Sequence, residues 1–230
     1  MVGDDQAELG EQQLVVGEVG GAARLPVDRV EQVDVGRGIG TQLMAAAMHH
    51  GRGCLRGMFA ASADPGAVRR YRLAGFDLHP QMLLAGVVDR SAIPVVDRVR
   101  EGTAADFDLL DSVDRRTRGA AHLSDHELLL AQFRLVVTDH TTGSGYAYVD
   151  EDGVPTLIAA TNRRTATRLM WEALASSRPG EQISVRHITA ANAWALDVGL
   201  AARMAIHQNG YLCLRQMSPP TPYLHHGSLL

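Results

Sequence analysis

The run Gly36-Arg37-Gly38-Ile39-Gly40-Thr41 constrains this chain more than any other feature. Apolar, β-branched sequence precedes it, and TQLMAAAMHH follows, with helix formers throughout. Glycines let the backbone turn sharply and let a ligand approach the amides closely. The first turn of the helix behind them carries unpaired N–H groups and the positive end of a dipole. Together these make a site for a diphosphate, and Arg37 adds a charge-assisted contact. The same residues also describe a plain glycine turn, so the run alone does not decide. A dinucleotide-binding turn ranks low. It needs a G-x-G-x-x-G spacing and an acidic residue about twenty positions on, whereas Phe59-Ala60-Ala61-Ser62 stands there.

The rest of the composition narrows the field. With 230 residues there is room for one large domain or two small ones. All 22 basic residues are arginine, which excludes a lysine Schiff base and a Walker-type phosphate loop. A net charge of -4 gives no sign of a nucleic-acid partner. No apolar run is long enough to cross a bilayer, and the acidic start MVGDDQAELGEQQ is unlike a secretory signal. A cytoplasmic location is the default expectation. Cys54 and Cys213 are too few for a disulfide framework.

Strand and helix patterns alternate along the chain. Residues 14–19 read as a strand, and a second lies at 23–27 or 30–35. A helix over Thr41–His50 follows, with Leu43, Ala46 and Ala47 on one face. A strand over Leu55–Ala61 leads to a helix capped by Asp64 and opened by Pro65, with Gly75 at its C-terminal stop. Extended pieces at 76–78 and 83–88 precede a connection at 91–98. Beyond it come a strand at 99–102, helices at 104–118 and 122–137, strands at 145–149 and 156–160, and a helix at 163–176 with Leu169, Met170 and Leu174 inward. A strand at 183–188, a helix at 192–207, a strand at 211–217 and an irregular, proline-rich tail at 218–230 complete the pattern. The fold class is α/β or α+β with mixed sheets.

A second signal is Ala67-x-x-x-Tyr71-x-x-x-Gly75-Phe76. In isolation Tyr71 is a packing residue on a helix. Joined to the glycine run at this spacing, it resembles the core of the GCN5-related N-acetyltransferase (GNAT) superfamily over residues 14–88. That resemblance implies acetyl-CoA as co-substrate, held by its pyrophosphate at Val35, Gly36, Arg37, Gly38, Ile39, Gly40 and Thr41, without a metal. It implies a pantetheine arm between splayed strands and Tyr71 as the acid that protonates the departing thiolate. Val35 stands where the family's loop usually opens with Gln or Arg. The family's first strand and its substrate-facing helices have no counterpart before residue 14, so residues 1–90 read as a partial copy.

Residues 99–217 resemble a second, degenerate copy, making a tandem GNAT. Val99–Asp106 is similar to the opening of such domains, and Ala202-x-x-x-Ile206-x-x-x-Gly210-Tyr211 repeats the earlier spacing. In that repeat Ile206 replaces Tyr71, and Ala159–Arg164 replaces the glycine loop. The activity implied is acetyl transfer to a small-molecule or peptide amine. The alternative is a non-catalytic acetyl-CoA-binding, regulatory or structural protein whose halves assemble homodimers. His49-His50 and His225-His226 lack acidic or cysteine neighbours and read as surface residues. His122 and His126 read as packing or solvated residues, Trp171 and Trp194 as core, and Ser62 as either a turn residue or a pantetheine contact.

Overall fold

The structure is a computed structural model that describes residues 16–18, 21–23, 38–122 and 124–229. It opens with an antiparallel pair, β1 (Val16–Glu18) and β2 (Gly21–Ala23). The remaining strand sought before the glycine run lies outside the described residues. Helix α1 (Ile39–His50), β3 (Gly57–Ala61), α2 (Pro65–Leu73) and β4 (Asp77–Val87) follow. Next come β5 (Arg100–Glu101), α3 (Phe107–Thr117), α4 (Asp125–Gln132), β6 (Arg134–His140), β7 (Gly143–Val149) and β8 (Pro155–Ala160). Helix α5 (Arg163–Ser176), β9 (Gln182–Thr189), α6 (Ala193–Ala201), β10 (Ala205–Arg215) and β11 (Tyr223–Leu224) complete the described chain.

Two larger sheets carry the fold, in the orders β3-β10-β4-β9 and β11-β8-β7-β6-β5. Every pairing among the described residues is antiparallel, so the α+β alternative holds and the sheets are not mixed. The second sheet is covered on both faces, and its residues alternate accordingly. Leu135, Val137, Tyr146, Tyr148, Leu157 and Ala159 join Leu110, Val113 and Leu129 of α3 and α4 in one core. Val136, Ala147, Val149, Ile158 and Ala160 join Leu169, Met170 and Leu174 of α5 in the other. Trp171 and Trp194 are buried in that second core, as expected. Among the described residues no helix is long and apolar enough to cross a membrane.

Several expected boundaries move. The stretch 122–137 is a short helix followed by a strand, because Phe133 turns extended (φ -130°, ψ 152°) with no glycine or proline to announce it. The stretch 192–207 likewise breaks at Arg203, which takes a left-handed φ of 61° where a glycine would be the usual residue. Ile206 and Gly210 therefore lie in β10, and their spacing does not match the helix that carries Tyr71. Residues 76–88 hold one continuous strand rather than two. In α1 the inward stripe is Met44, Ala47 and Met48, whereas Leu43 is 59% exposed. The irregular tail contains β11, held against β8 by Tyr223 opposite Ala159 and Leu224 opposite Ile158.

Two β–α–β segments share one local geometry, 128 residues apart. Asp64 and Asn192 occupy the N-caps of α2 and α6. The C-terminal turns repeat bond for bond. The Phe76 amide donates to the Tyr71 carbonyl, and the Met204 amide to the Gly199 carbonyl. Gly75 and Arg203 donate to Arg72 and Leu200 in the same way. The strands that follow, β4 and β10, are each 11 residues long and pair with one another at the centre of the four-stranded sheet.

Candidate functional site

Helix α1 starts at Gly38, whose backbone is left-handed (φ 80°, ψ 0°) and which has no side chain to cap the first turn. The Gly38 carbonyl accepts from the Thr41 and Gln42 amides, which sets the helix direction. Of the loop residues expected to hold a diphosphate, Gly38, Ile39, Gly40 and Thr41 lie in this turn. Val35, Gly36 and Arg37 lie outside the described residues.

Arg70 is an addition that sequence spacing did not reveal. A methyl group built on Gly40 would meet the Arg70 guanidinium carbon at 2.6 Å. The guanidinium of α2 therefore lies directly on the first turn of α1, and glycine at position 40 makes room for it. Between the two helices runs a groove of about 350 Å³, lined by Thr41, Met48, Gly66, Arg69, Arg70 and Leu73 among others. Two arginines, a hydroxyl and the positive helix end share it, an arrangement suited to phosphates.

Tyr71 lies one residue further on, on the inner side of α2. Its ring meets Phe59 edge-on, with centroids 4.7 Å apart and planes at 75°. Burial, seconded by neighbouring Cys213, raises its hydroxyl above the ordinary tyrosine range. The group is thus a protonated donor at neutral pH. Cys213 sits opposite Phe59 in the sheet; burial pushes its thiol up to about 12, so it is not a nucleophile. Ser62 accepts from the Asp64 amide at 3.4 Å, which favours the turn reading.

The start of α5 is built differently. Asn162 accepts from the Thr165 amide at 3.0 Å, so the chain's own side chain caps that helix. Strand β11 lies beside β8, and the Ala160 amide donates to the Pro222 carbonyl. Asn192 does not cap α6 with its side chain. Its amide donates to Thr189 and to the Pro220 carbonyl, and its oxygen accepts from Trp194 and from the Tyr223 amide. The C-terminal segment is thereby clamped between β8 and β9.

His225 and His226 were expected at the surface, but His225 is 2% exposed and His226 is half-buried. Burial lowers His225 to about 4, which fits a neutral ring donating from Nδ1 to the His226 carbonyl and accepting from Gln81. His187 lies against it, with ring centroids 4.3 Å apart. His49 and His50 are exposed, as expected.

His122 and His126 are buried in packing positions, and the structure adds Asp114 between them. Asp114 Oδ2 accepts from His122 Nδ1 at 2.7 Å and His126 Nε2 at 3.1 Å, and Oδ1 accepts from Tyr146 at 2.5 Å. Burial alone would raise this carboxyl, but the facing His122 and the three donors hold it well below the usual range. Burial draws His122 below the ordinary histidine value, against the opposing pull of Asp114. Asp114 and the tyrosines are separated from the histidines by up to about a hundred residues, and no local pattern joins them.

With this geometry the chain can be set beside proteins of known structure. A protein from Pyrococcus horikoshii, named as a proposed acetyltransferase, superposes with a TM-score of 0.59 over 84% of this chain and 63% of that one, at 17% identity. The chain shares the fold of that protein over the superposed part. It spans less than two thirds of the Pyrococcus acetyltransferase-like protein. A GCN5-related N-acetyltransferase from Sphaerobacter thermophilus also aligns, at 15% identity and a TM-score of 0.48, over 81% of this chain and 70% of that one. Eis1 from Mycobacterium abscessus aligns at 16% identity and a TM-score of 0.47, over 78% of this chain and 52% of that one. No family model matches the sequence, and no curated protein matches it.

Proposed function

We propose that this acetyltransferase-like fold binds acetyl-CoA at residues 35–41 and transfers the acetyl group to an amine. The observation that carries the reading is the uncapped first turn of α1 with the Arg70 guanidinium lying on it. A diphosphate there accepts from the turn's amides and from the arginine. The α1–α2 groove, with Arg69 at its wall, takes the nucleotide end. The pantetheine arm runs inward along β3, and backbone amides polarise the thioester carbonyl.

The acceptor is a small-molecule or peptide amine that attacks the thioester carbon as the free base and releases its extra proton to water as the carbon–nitrogen bond forms. As the carbon–sulfur bond breaks, the electron pair leaves on sulfur. Tyr71, held protonated by burial, donates its proton to that thiolate. The chain is a tandem in which two units share one sheet rather than standing apart across residues 91–98. The repeated C-terminal turns of α2 and α6 support this, as does the alternation of β3, β10, β4 and β9. The second unit is degenerate, because its helix start is capped by Asn162 and its cleft is filled by β11.

Calorimetric titration with acetyl-CoA, followed by thiol release over a panel of amines, tests the reading. Saturable binding near one equivalent with release on at least one amine is expected. No binding heat would end the acetyl-CoA assignment. Binding without release on any amine would leave a regulatory protein instead of an enzyme.

A further inference from the structure

We propose that Asp111, Asp114, His122 and His126 form a binding site for a zinc-class divalent cation between α3 and α4. This is a separate site from the acyl-donor groove and does not rest on it. Asp114 Oδ2, His122 Nδ1 and His126 Nε2 all lie within 4.8 Å of one another. A fourth atom lies at the edge of this trio, beside His126. Asp111 Oδ1 lies 3.5 Å from His126 Nε2, is buried, and has no hydrogen-bond partner among the described residues. Four ligand atoms around a tetrahedral zinc lie about 3.3 Å apart when each bond is about 2.0–2.1 Å. The His122–Asp114, His126–Asp114 and His126–Asp111 separations of 2.7, 3.1 and 3.5 Å depart from that spacing by about 0.6, 0.2 and 0.2 Å.

The outer atoms of the same groups strengthen the case. Asp114 Oδ1 is held by the Tyr146 hydroxyl, His126 Nδ1 by Tyr148 and His122 Nε2 by Tyr223. Metal ligands are oriented by such partners on their far side, and here three of the four candidates have one. The sheet supplies them in register. Tyr146 and Tyr223 flank Ala159 in one row across three strands, and Tyr148 follows two residues along on the same face.

A buried carboxylate oxygen with no donor is costly, and a cation is the partner Asp111 Oδ1 lacks. Two carboxylates and two neutral imidazoles balance a dication. With the ion bound, each histidine moves its proton to the outer nitrogen and donates to the tyrosine oxygen. The Tyr148 hydroxyl then keeps the His126 carbonyl, 3.3 Å away, as its acceptor. Asp111 is 20% exposed and offers the entry path.

The test uses the full chain, stripped with a chelator and titrated with Co(II), followed by displacement with Zn(II). One equivalent of Co(II) with the intense visible bands of four-coordinate cobalt is expected, bleached by zinc. Asp111→Asn keeps the side-chain shape and is expected to fold with a normal melting profile while weakening the cation by about 10- to 100-fold. Tyr148→Phe removes one outer hydroxyl and is expected to weaken it by about tenfold. Absence of the cobalt bands in the parent chain would overturn the site. So would a folded Asp111→Asn protein that titrates like the parent or, should that variant not fold, an unaltered titration in Tyr148→Phe.

Discussion

Helices α1 and α5 each precede one of the two β–α–β segments, yet their first turns meet different fates. At α1 the cap is a left-handed glycine with no side chain, and an arginine from α2 lies over the turn. At α5 the cap is Asn162, whose oxygen takes an amide hydrogen, and the neighbouring sheet edge is covered by the chain's own Tyr223–Leu224. A helix start leaves unpaired amides in every protein. What differs is whether the chain satisfies them itself or leaves them for a ligand. The same contrast runs through α2 and α6. Asp64 caps its helix at 2.7 Å from the Ala67 amide, whereas Asn192 gives that duty up to clamp the C-terminal segment.

The sharpest way to break the comparison is at the two positions where the helices face the sheet. Tyr71 on α2 corresponds to Gly199 on α6, where an added methyl would strike Leu84 at 2.3 Å. Only the first segment has room and chemistry for a proton donor. Tyr71→Phe keeps the ring against Phe59 and removes the hydroxyl. Turnover is expected to fall by about 100-fold or more, the usual range for losing a general acid, with acetyl-CoA affinity little changed. Thiol-release kinetics under saturating donor measure it, and an unaltered turnover would remove Tyr71 from the mechanism.

The next effect is on the clamp. Asn192→Ala removes four buried hydrogen bonds and leaves the Trp194 and Tyr223 donors unpaired. A loss of about 3 kcal/mol is expected, read as a lowered denaturant midpoint. A variant with unchanged stability would show that the segment is not held there.

Acid should loosen the same segment. His225 falls from the ordinary histidine value to about 4 on folding, chiefly through burial. Its depressed value means that its contribution is whole above about pH 6.5 and is lost as pH falls towards 4. Roughly 3 kcal/mol is at stake by that linkage. Melting temperatures across this window are expected to drop in the parent chain and to drop less in His225→Asn. Parallel profiles for the two proteins would assign the acid sensitivity to other groups.

These contrasts were only partly legible in the sequence. The start of α2 announces itself through Asp64 and Pro65, because caps and helix-opening prolines are local signals, whereas α1 begins at Ile39, two residues before the expected Thr41. The breaks at Phe133 and Arg203 do not, since neither residue is a typical breaker and apolar residues continue on both sides. The register of α1 slipped by one position because Leu43 and Met44 are equally apolar, and only the neighbouring sheet decides which is buried. Arg70 at Gly40, Asn192 at the C-terminal segment and the cluster around Asp114 are contacts across sequence distance. Their residues carry no joint spacing, and the fold alone assembles them.

Arg70 gives the next smaller effect. Arg70→Ala removes the guanidinium from the α1 turn, and acetyl-CoA affinity is expected to fall about tenfold, in line with one charge-assisted hydrogen bond. Calorimetry with acetyl-CoA and with coenzyme A lacking the acetyl group should show the same loss, because the contact is to phosphate. A loss confined to the acetylated form would place Arg70 near the thioester instead.

The smallest effect probes the second helix start. Asn162→Ala uncaps α5 at a cost of about 1 kcal/mol, the usual value for an N-cap. It leaves that turn without a side-chain cap, as the α1 turn already is. If uncapped amides alone made a diphosphate site, the variant would take up a second equivalent of acetyl-CoA. None is expected, because Tyr223–Leu224 still covers the adjoining strand. A second equivalent in the titration would mean that the α1 site is defined by its bare turn, and that the arginine and the open groove beside it are incidental.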